Sequence, residues 1–403
     1  MKTLVQSFMR FFGSYALACA LLIGLFLLTL FGTLASTKEG LYAAQKMYFE
    51  SWYLLQPLGK LRIPLPGGIA LMTMLSLNLL VGGFVRIRKS KRTAGILVVH
   101  TGIAILLLAG LVKHLTAVEG YVRLYEGEQA TDFVSHNQWE VAVRELVPAP
   151  AGGLTSGTEW VVDEQAFRGI HGDETAYVSS ADLPFELRLR HFVRNARVLP
   201  KGPMWSSDYP VIDGFAVMPV KPEPDEEFNA AAIFADVVPK GATHEVGGEQ
   251  AILWAGENAP FVVSRAGKQF AIEIRRMRTP MPFAMRLEKF TKEDHPRTDI
   301  ASVYSSHVIK IDKTTASETP VHIAMNEPLR DKGIVAFQSS WGPSNARPGT
   351  RLFSVFSVVR NPSDRWPEYS CWVIAAGMLI AFGQRLLAFL KKQSQNRQVE
   401  SAQ

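Results

Sequence analysis

Cysteine is almost missing from this sequence: Cys19 and Cys371 are the only two in 403 residues. That scarcity excludes a disulfide framework, a CxxC redox pair, a thiolate zinc site and a CxxCH haem-attachment sequence, so the chain is not itself a c-type cytochrome. Catalytic signatures are missing too. No GxSxG elbow, phosphate-cradling glycine loop or carboxylate cluster with metal spacing occurs. Charge is nearly missing from four apolar blocks, at about residues 11–35, 69–85, 95–112 and 371–389. Each approaches the roughly 20 residues that a membrane-spanning helix requires. Only the fourth is interrupted, by Gln384 and Arg385, close enough to its end for long side chains to snorkel to the headgroups.

Lys and Arg gather on one side of these blocks. Lys2 and Arg10 precede the first, RIRKSKR (86–92) joins the second to the third, and Lys391, Lys392 and Arg397 follow the fourth. The positive-inside rule then makes both termini cytoplasmic. It divides the chain into a membrane region (1–113) with an outer interfacial loop (36–68), an extracytoplasmic domain (114–368), and a last span with a cytoplasmic tail (369–403). Part of the net charge of +6 is this orientation signal, so it gives no support for a nucleic-acid partner. The LAS before Thr37 resembles a signal cleavage site, but the apolar core exceeds the 7–15 residues of a typical signal, and a retained anchor is expected.

The outer segment has period two. Apolar and polar residues alternate in 138–146, 185–192, 270–274, 283–290, 307–311, 321–325 and 351–359, as in half-buried strands. Pro and Gly clusters such as VPAPAGG and VKPEPDEE separate them as turns. The expected fold class is therefore four transmembrane helices plus a large all-β domain, an antiparallel sandwich or two small ones. PFELRLRHF (184–192) and PFAMRLEKF (282–290) echo each other, which duplication or convergence on an inward-facing strand would both produce. The segment's histidines, His114, His136, His171, His191, His244, His295, His307 and His322, lack the HxxxH or HxH spacing of paired ligands and read as surface or hydrogen-bonded residues. In the loop, Leu41, Tyr48, Trp52 and Leu55 on one helical face would form an interfacial helix. It would serve as an aromatic belt setting the depth of the spans, or as a platform for a flat apolar ligand or partner.

One residue in the apolar blocks needs a reason. His100 lies in ILVVHTGIAILLLAG (96–110), about five residues past the inner end of its span and so roughly 8 Å deep. A neutral imidazole there suits an interhelical hydrogen bond, a proton relay, or a metal ligand, including haem iron. The relay is weakened because the other three spans contain no Asp, Glu or His. For iron, the next histidine on the helix is His114, 14 residues and roughly 21 Å further on, so a second axial ligand would have to come from elsewhere. The structural hydrogen bond and the cofactor role both stand at this point. Gly95, Gly102 and Gly110 on the same helix would let another helix approach closely.

Six segments together resemble one family: YFESW (48–52), LNLLVGG and its basic loop (from 77), GILVVHTGIAILLLAG (95–110), EGYVRLYEGE (119–128), MNEPLRDKGIVAFQSSW (325–341) and SVVRNPSDRWPEYSCWVIAAGM (357–378). They are similar, in order and spacing, to the ResB or CcsB family of cytochrome c biogenesis proteins; residues 145–280 carry little of the likeness. The resemblance implies a multi-pass protein of the bacterial cytoplasmic (inner) membrane with its large domain on the periplasmic side. It implies haem b as the transported or bound cofactor, with the family's intramembrane histidine falling on His100 as an axial ligand. The implied partners are a ResC or CcsA-type membrane protein carrying a WWD segment, which supplies the second ligand, and apocytochrome c as recipient, in a bed of membrane lipid. This chain has no WWD cluster, so the resemblance implies a non-catalytic or co-catalytic subunit of a holocytochrome c synthase; Tyr48, Trp52 and Trp341 are the candidate interface residues. Phe337 stands where the family often has Tyr before QSS, which argues against a hydroxyl role there.

Overall fold

The computed structural model describes all residues except 1, 59–60, 150–152, 171–173, 203–208, 242–247, 258, 297–300, 344–348 and 401–403; His171 and His244 thus lie outside the described residues. The chain forms two compact units, one from Met1–Ala117 with Arg360–Gln403, the other from Val118–Val359.

The first unit is helical. Helix α1 (Lys2–Phe12) breaks at Gly13 and Ser14 before α2 (Tyr15–Glu39), whose first turn is capped by the Ser14 hydroxyl accepting from the Leu17 amide at 3.2 Å. The break frees carbonyls that need partners. Asn78 Nδ2 donates to Phe12 O and Ser14 O at 2.6 and 3.1 Å, and an Arg86 guanidinium nitrogen donates to Gly13 O at 3.0 Å. After α2 come α3 (Leu41–Ala44), a π-helical turn Gln45–Phe49, and a hairpin of β1 (Tyr53–Leu58) and β2 (Leu61–Pro66). Helix α4 (Gly68–Asn78) runs on into a π-helical stretch, Leu79–Val85, and is followed by α5 (Ala94–Thr116) and, at the end of the chain, α6 (Trp366–Glu400). Four helical stretches, Tyr15–Glu39, Gly68–Val85, Lys91–Thr116 and Trp366–Gln395, are long and apolar enough to cross a membrane.

The interfacial helix expected in the loop is replaced by this hairpin. Only Leu41 and Tyr48 lie on helical turns, while Trp52 precedes β1 and Leu55 lies within it. Pro57, Pro64 and Pro66 explain the outcome, since a residue without an amide N–H, its φ locked, does not sustain a helix interior.

Helices α5 and α6 pack through small residues. A Cβ on Gly95 would sit 2.5 Å from the Ala381 amide nitrogen, and one on Gly102 would sit 2.5 Å from Ile374 Cγ1 and 3.0 Å from Ser370 O. Ser370 Oγ donates to Gly102 O at 2.8 Å, and Ser363 Oγ to Ala109 O at 2.9 Å, both fully buried. Gly110 does not take part, for a Cβ there would meet nothing within 4 Å.

The second unit is antiparallel β. It begins with β3 (Val118–Tyr125), β4 (Gln129–Pro148) and β5 (Leu154–Asp163). A second set follows: β6 (Ala176–Val178), β7 (Phe185–Val193), β8 (Ala196–Pro200), β9 (Phe215–Pro219), β10 (Ala232–Pro239) and β11 (Glu249–Trp254). The chain then returns with β12 (Phe261–Arg265), β13 (Lys268–Asp294), β14 (Ala301–Asp312), β15 (Glu318–Ala324), β16 (Leu329–Asp331), β17 (Ile334–Gly342) and β18 (Phe353–Arg360). The first and last groups form one ten-stranded sheet, ordered β15-β14-β13-β4-β3-β18-β17-β16 with β12 beside β13 and β5 beside β4. The middle group gives a four-stranded sheet, β11-β10-β7-β6, and the hairpin β8-β9.

Two cores result. One lies between the two sheets, where Val141, Val143, Phe270 and Ile272 meet Phe185, Leu187, Leu189 and Ile233. In the other the large sheet closes around its own apolar face, with Phe133, Phe283, Leu287, Val308, Ile323, Ala336 and Phe356 inside. Ser306, Gln338 and Ser354, all buried there, satisfy one another: Ser306 Oγ bonds to Gln338 Oε1 and Ser354 Oγ at 2.7 and 2.9 Å, and Gln338 Nε2 donates to Ser354 Oγ at 2.8 Å. Strands β4 and β13 run through both cores, their mutual register shifting between Arg276 and Arg278 and again between Pro280 and Met285. The echoed segments fall one in each sheet, 185–192 on β7 and 283–290 on β13.

Candidate functional site in the helical unit

His100 sits on the second turn of α5. Its ring lies against Gly83 in the π-helical stretch, where an added Cβ would come within 3.2 Å of both Cγ and Cδ2. A side chain there would make the imidazole shift by a few tenths of an ångström. The stretch itself is informative: a π-helical insertion re-aims the residues that follow it and recurs at functional sites. Phe84, the next residue, places its ring centroid 6.4 Å from that of His100.

Among the described residues the imidazole has no side-chain hydrogen-bond partner. Nδ1 is enclosed and makes no hydrogen bond, lying near the Ile96 carbonyl one turn back without hydrogen-bond geometry. The ring as a whole is only partly buried. With the proton on Nδ1, toward Ile96, the lone pair on Nε2 is the one free to accept a donor or a metal. Among the described residues, His100 therefore makes no structural interhelical hydrogen bond. The donor set fits one axial position on a haem iron and no more.

The other expected site residues are scattered. Tyr48 is buried among Leu21, Leu28, Leu54 and Leu71, and its hydroxyl accepts from Gln56 Nε2 at 2.6 Å. Trp52 is 60% exposed, next to exposed Tyr53 and Leu55, which leaves an aromatic edge on the hairpin. Trp341 belongs to the β unit, stacked on Phe290 with a centroid separation of 6.1 Å and capped by the Lys292 ammonium at 4.5 Å. Phe337 faces the Arg330 guanidinium at 5.8 Å.

The β unit holds a cavity of about 1050 Å³ that periodicity could not reveal, because residues distant in sequence line it. Tyr121, Trp139, Phe228, Trp254 and Phe261 give it aromatic walls. The Arg276 guanidinium lies 3.8 Å over the Trp139 ring and donates to His136 O and Asn229 O at 2.9 and 3.0 Å. Burial pulls that guanidinium below its usual range. Trp139 Nε1 is enclosed and has no hydrogen-bond partner among the described residues. Beside it, burial pushes the Glu140 carboxyl upward while the Arg275 guanidinium, 2.7 Å away, opposes the shift.

A family model described as the ResB-like family matches residues 248–355. Over that segment the chain is similar to the ResB-like family. The ResB-like match begins at β11 and ends in β18, so it includes MNEPLRDKGIVAFQSSW and lies wholly within the β unit. The ResB-like family is associated with cytochrome c biogenesis. A comparison with curated proteins finds no match.

Proposed function

We propose that this ResB-like chain is the membrane subunit of a haem delivery and cytochrome c maturation complex. His100 would supply one axial ligand to haem from within a span, a WWD-type ResC or CcsA partner would supply the other, and apocytochrome c would receive the haem on the outer face. The β unit would then lie on the periplasmic side of the bacterial inner membrane, with both termini in the cytoplasm, as the basic flanks require. The observation that carries this reading is the unpartnered imidazole beside Gly83, a ligand without a structural occupation. Haem would bring the porphyrin iron and the vinyl groups that become thioethers. This chain contributes position, an apolar surround and a neutral nitrogen.

The test is co-expression with a WWD partner and purification of the complex, comparing Soret absorbance with and without His100→Ala. Loss of absorbance in the variant, recovered on adding imidazole, is the expected result. An unchanged spectrum removes the ligand assignment. The aromatic cavity favours a second reading, a membrane-anchored binding or assembly protein with no cofactor of its own. That protein would be colourless, and His100→Ala would leave c-type cytochromes normal.

A further inference from the structure

Two histidines that are 15 residues apart in sequence are direct neighbours across strands β14 and β15. His307 pairs with His322 in register, so both rings stand on the same face of the sheet, with centroids 5.0 Å apart and planes inclined at 47°. Both are exposed, and both are outside the buried core that lies on the other face, where Ser306, Val308 and Ile323 point. A third group is held beside them. Ala324 and Glu327 exchange backbone hydrogen bonds at 3.2 Å in both directions, closing a tight turn around Met325 and Asn326. Ala324 shares a strand face with His322, two residues back, so the residue bridged to Ala324 is carried toward that face. Glu327 Oε2 accordingly lies 3.8 Å from His322 Nδ1.

We infer that His307 and His322 form a two-imidazole site for a divalent transition metal ion, with Glu327 as the carboxylate that orients His322. Directly opposed residues in an antiparallel pair bring side chains close enough to share one ion, and imidazole suits copper, zinc and nickel alike. A carboxylate near one ring nitrogen favours the tautomer with its proton there and leaves the opposite nitrogen, Nε2, for the metal. Water would complete the coordination. A nearby cation is Lys289, the cross-strand neighbour of His307 on β13, exposed and on a stem long enough to turn away. By the general order of affinities, copper(II) binds most tightly among the divalent ions of this row.

The experiment uses the full chain in lipid nanodiscs, titrated with copper(II) against a chelator of known affinity and read by electron paramagnetic resonance. The wild type is expected to take up copper at a site showing two equatorial nitrogens. His307→Ala and His322→Ala should each weaken that binding by about tenfold or more, since loss of an orienting group alone costs 10–100-fold. Glu327→Gln should weaken it about tenfold while keeping the two-nitrogen signature. His100→Ala should leave it unchanged, which separates this site from the haem ligand proposed above. Cross-strand substitution at exposed positions leaves the fold intact, and circular dichroism of each variant checks that. Equal affinity and an identical spectrum in the His307→Ala, His322→Ala double variant would overturn the inference, as would one-nitrogen copper in the wild type.

Discussion

Placing a methyl group at Gly377 tests the packing of α5 on α6. The new Cβ would lie 2.6 Å from the Val99 amide nitrogen, 2.8 Å from Val99 Cγ2 and 2.9 Å from Gly95 O. Optimal contacts between such atoms are at about 3.5–4.0 Å, so one helix must retreat by roughly 1 Å. Overpacking of this kind costs about 1–3 kcal/mol. Separation also stretches the Ser370 to Gly102 hydrogen bond, and bonds of that type average about 0.6 kcal/mol between membrane helices. Gly377→Ala should therefore lose about 2–3 kcal/mol in a detergent unfolding titration, the larger part from the clash. The fold supplies its own controls. Cβ atoms on Gly110 and Gly383, on the same two helices, would meet nothing within 4 Å. Gly110→Ala and Gly383→Ala should be neutral or stabilising, because alanine is the better helix former. If Gly377→Ala unfolds together with Gly110→Ala, the close approach of the two backbones is refuted.

Two more predictions concern the β unit. The Asp312 carboxylate is held well below its usual range, first by its hydrogen bond from Lys332 and then by the Thr314 and Thr315 amides. A depressed carboxylate stabilises the fold above its unfolded value and loses that contribution as the pH falls, so Asp312→Asn should lower the melting temperature at pH 7 and the difference should close below about pH 4. In the second, Arg275 binds Glu140, Glu159 and Glu273 at 2.7, 2.8 and 3.3 Å, with Glu140 only 2% exposed. Arg275→Met strands buried carboxylate charge and should cost about 3–5 kcal/mol in chemical denaturation, more than Glu140→Gln, which leaves the guanidinium two partners; the reverse order would contradict this account.

Much of the architecture is legible in the residues because the signals are local. The four apolar blocks overlap the four long helices, and all seven alternating segments overlap strands, although 321–325 and 351–359 each run past the ends of theirs. What depends on distant pairing is not legible. FAIEI and FAMRLEKF read as separate strands yet belong to one, since β13 absorbs the residues between Pro280 and Met285 by shifting register against β4. His307 and His322 have no suggestive spacing, and only the pairing of β14 with β15 brings them together. At His100 the sequence indicates a costly ring in an apolar run. That Gly83 is the residue beneath it depends on the π-helical stretch, whose extra residue per turn leaves no trace in hydropathy.

The two long strands threading both β cores make the unit mechanically indivisible. A cut or a truncation between the cores would sever β4 or β13 and remove a wall from each, so neither half is a separable module that could be traded or expressed by itself. β13 runs as one continuous strand from the wall of the aromatic cavity at Ile274, Arg275 and Arg276 to Lys289, the cross-strand neighbour of His307 in the same sheet.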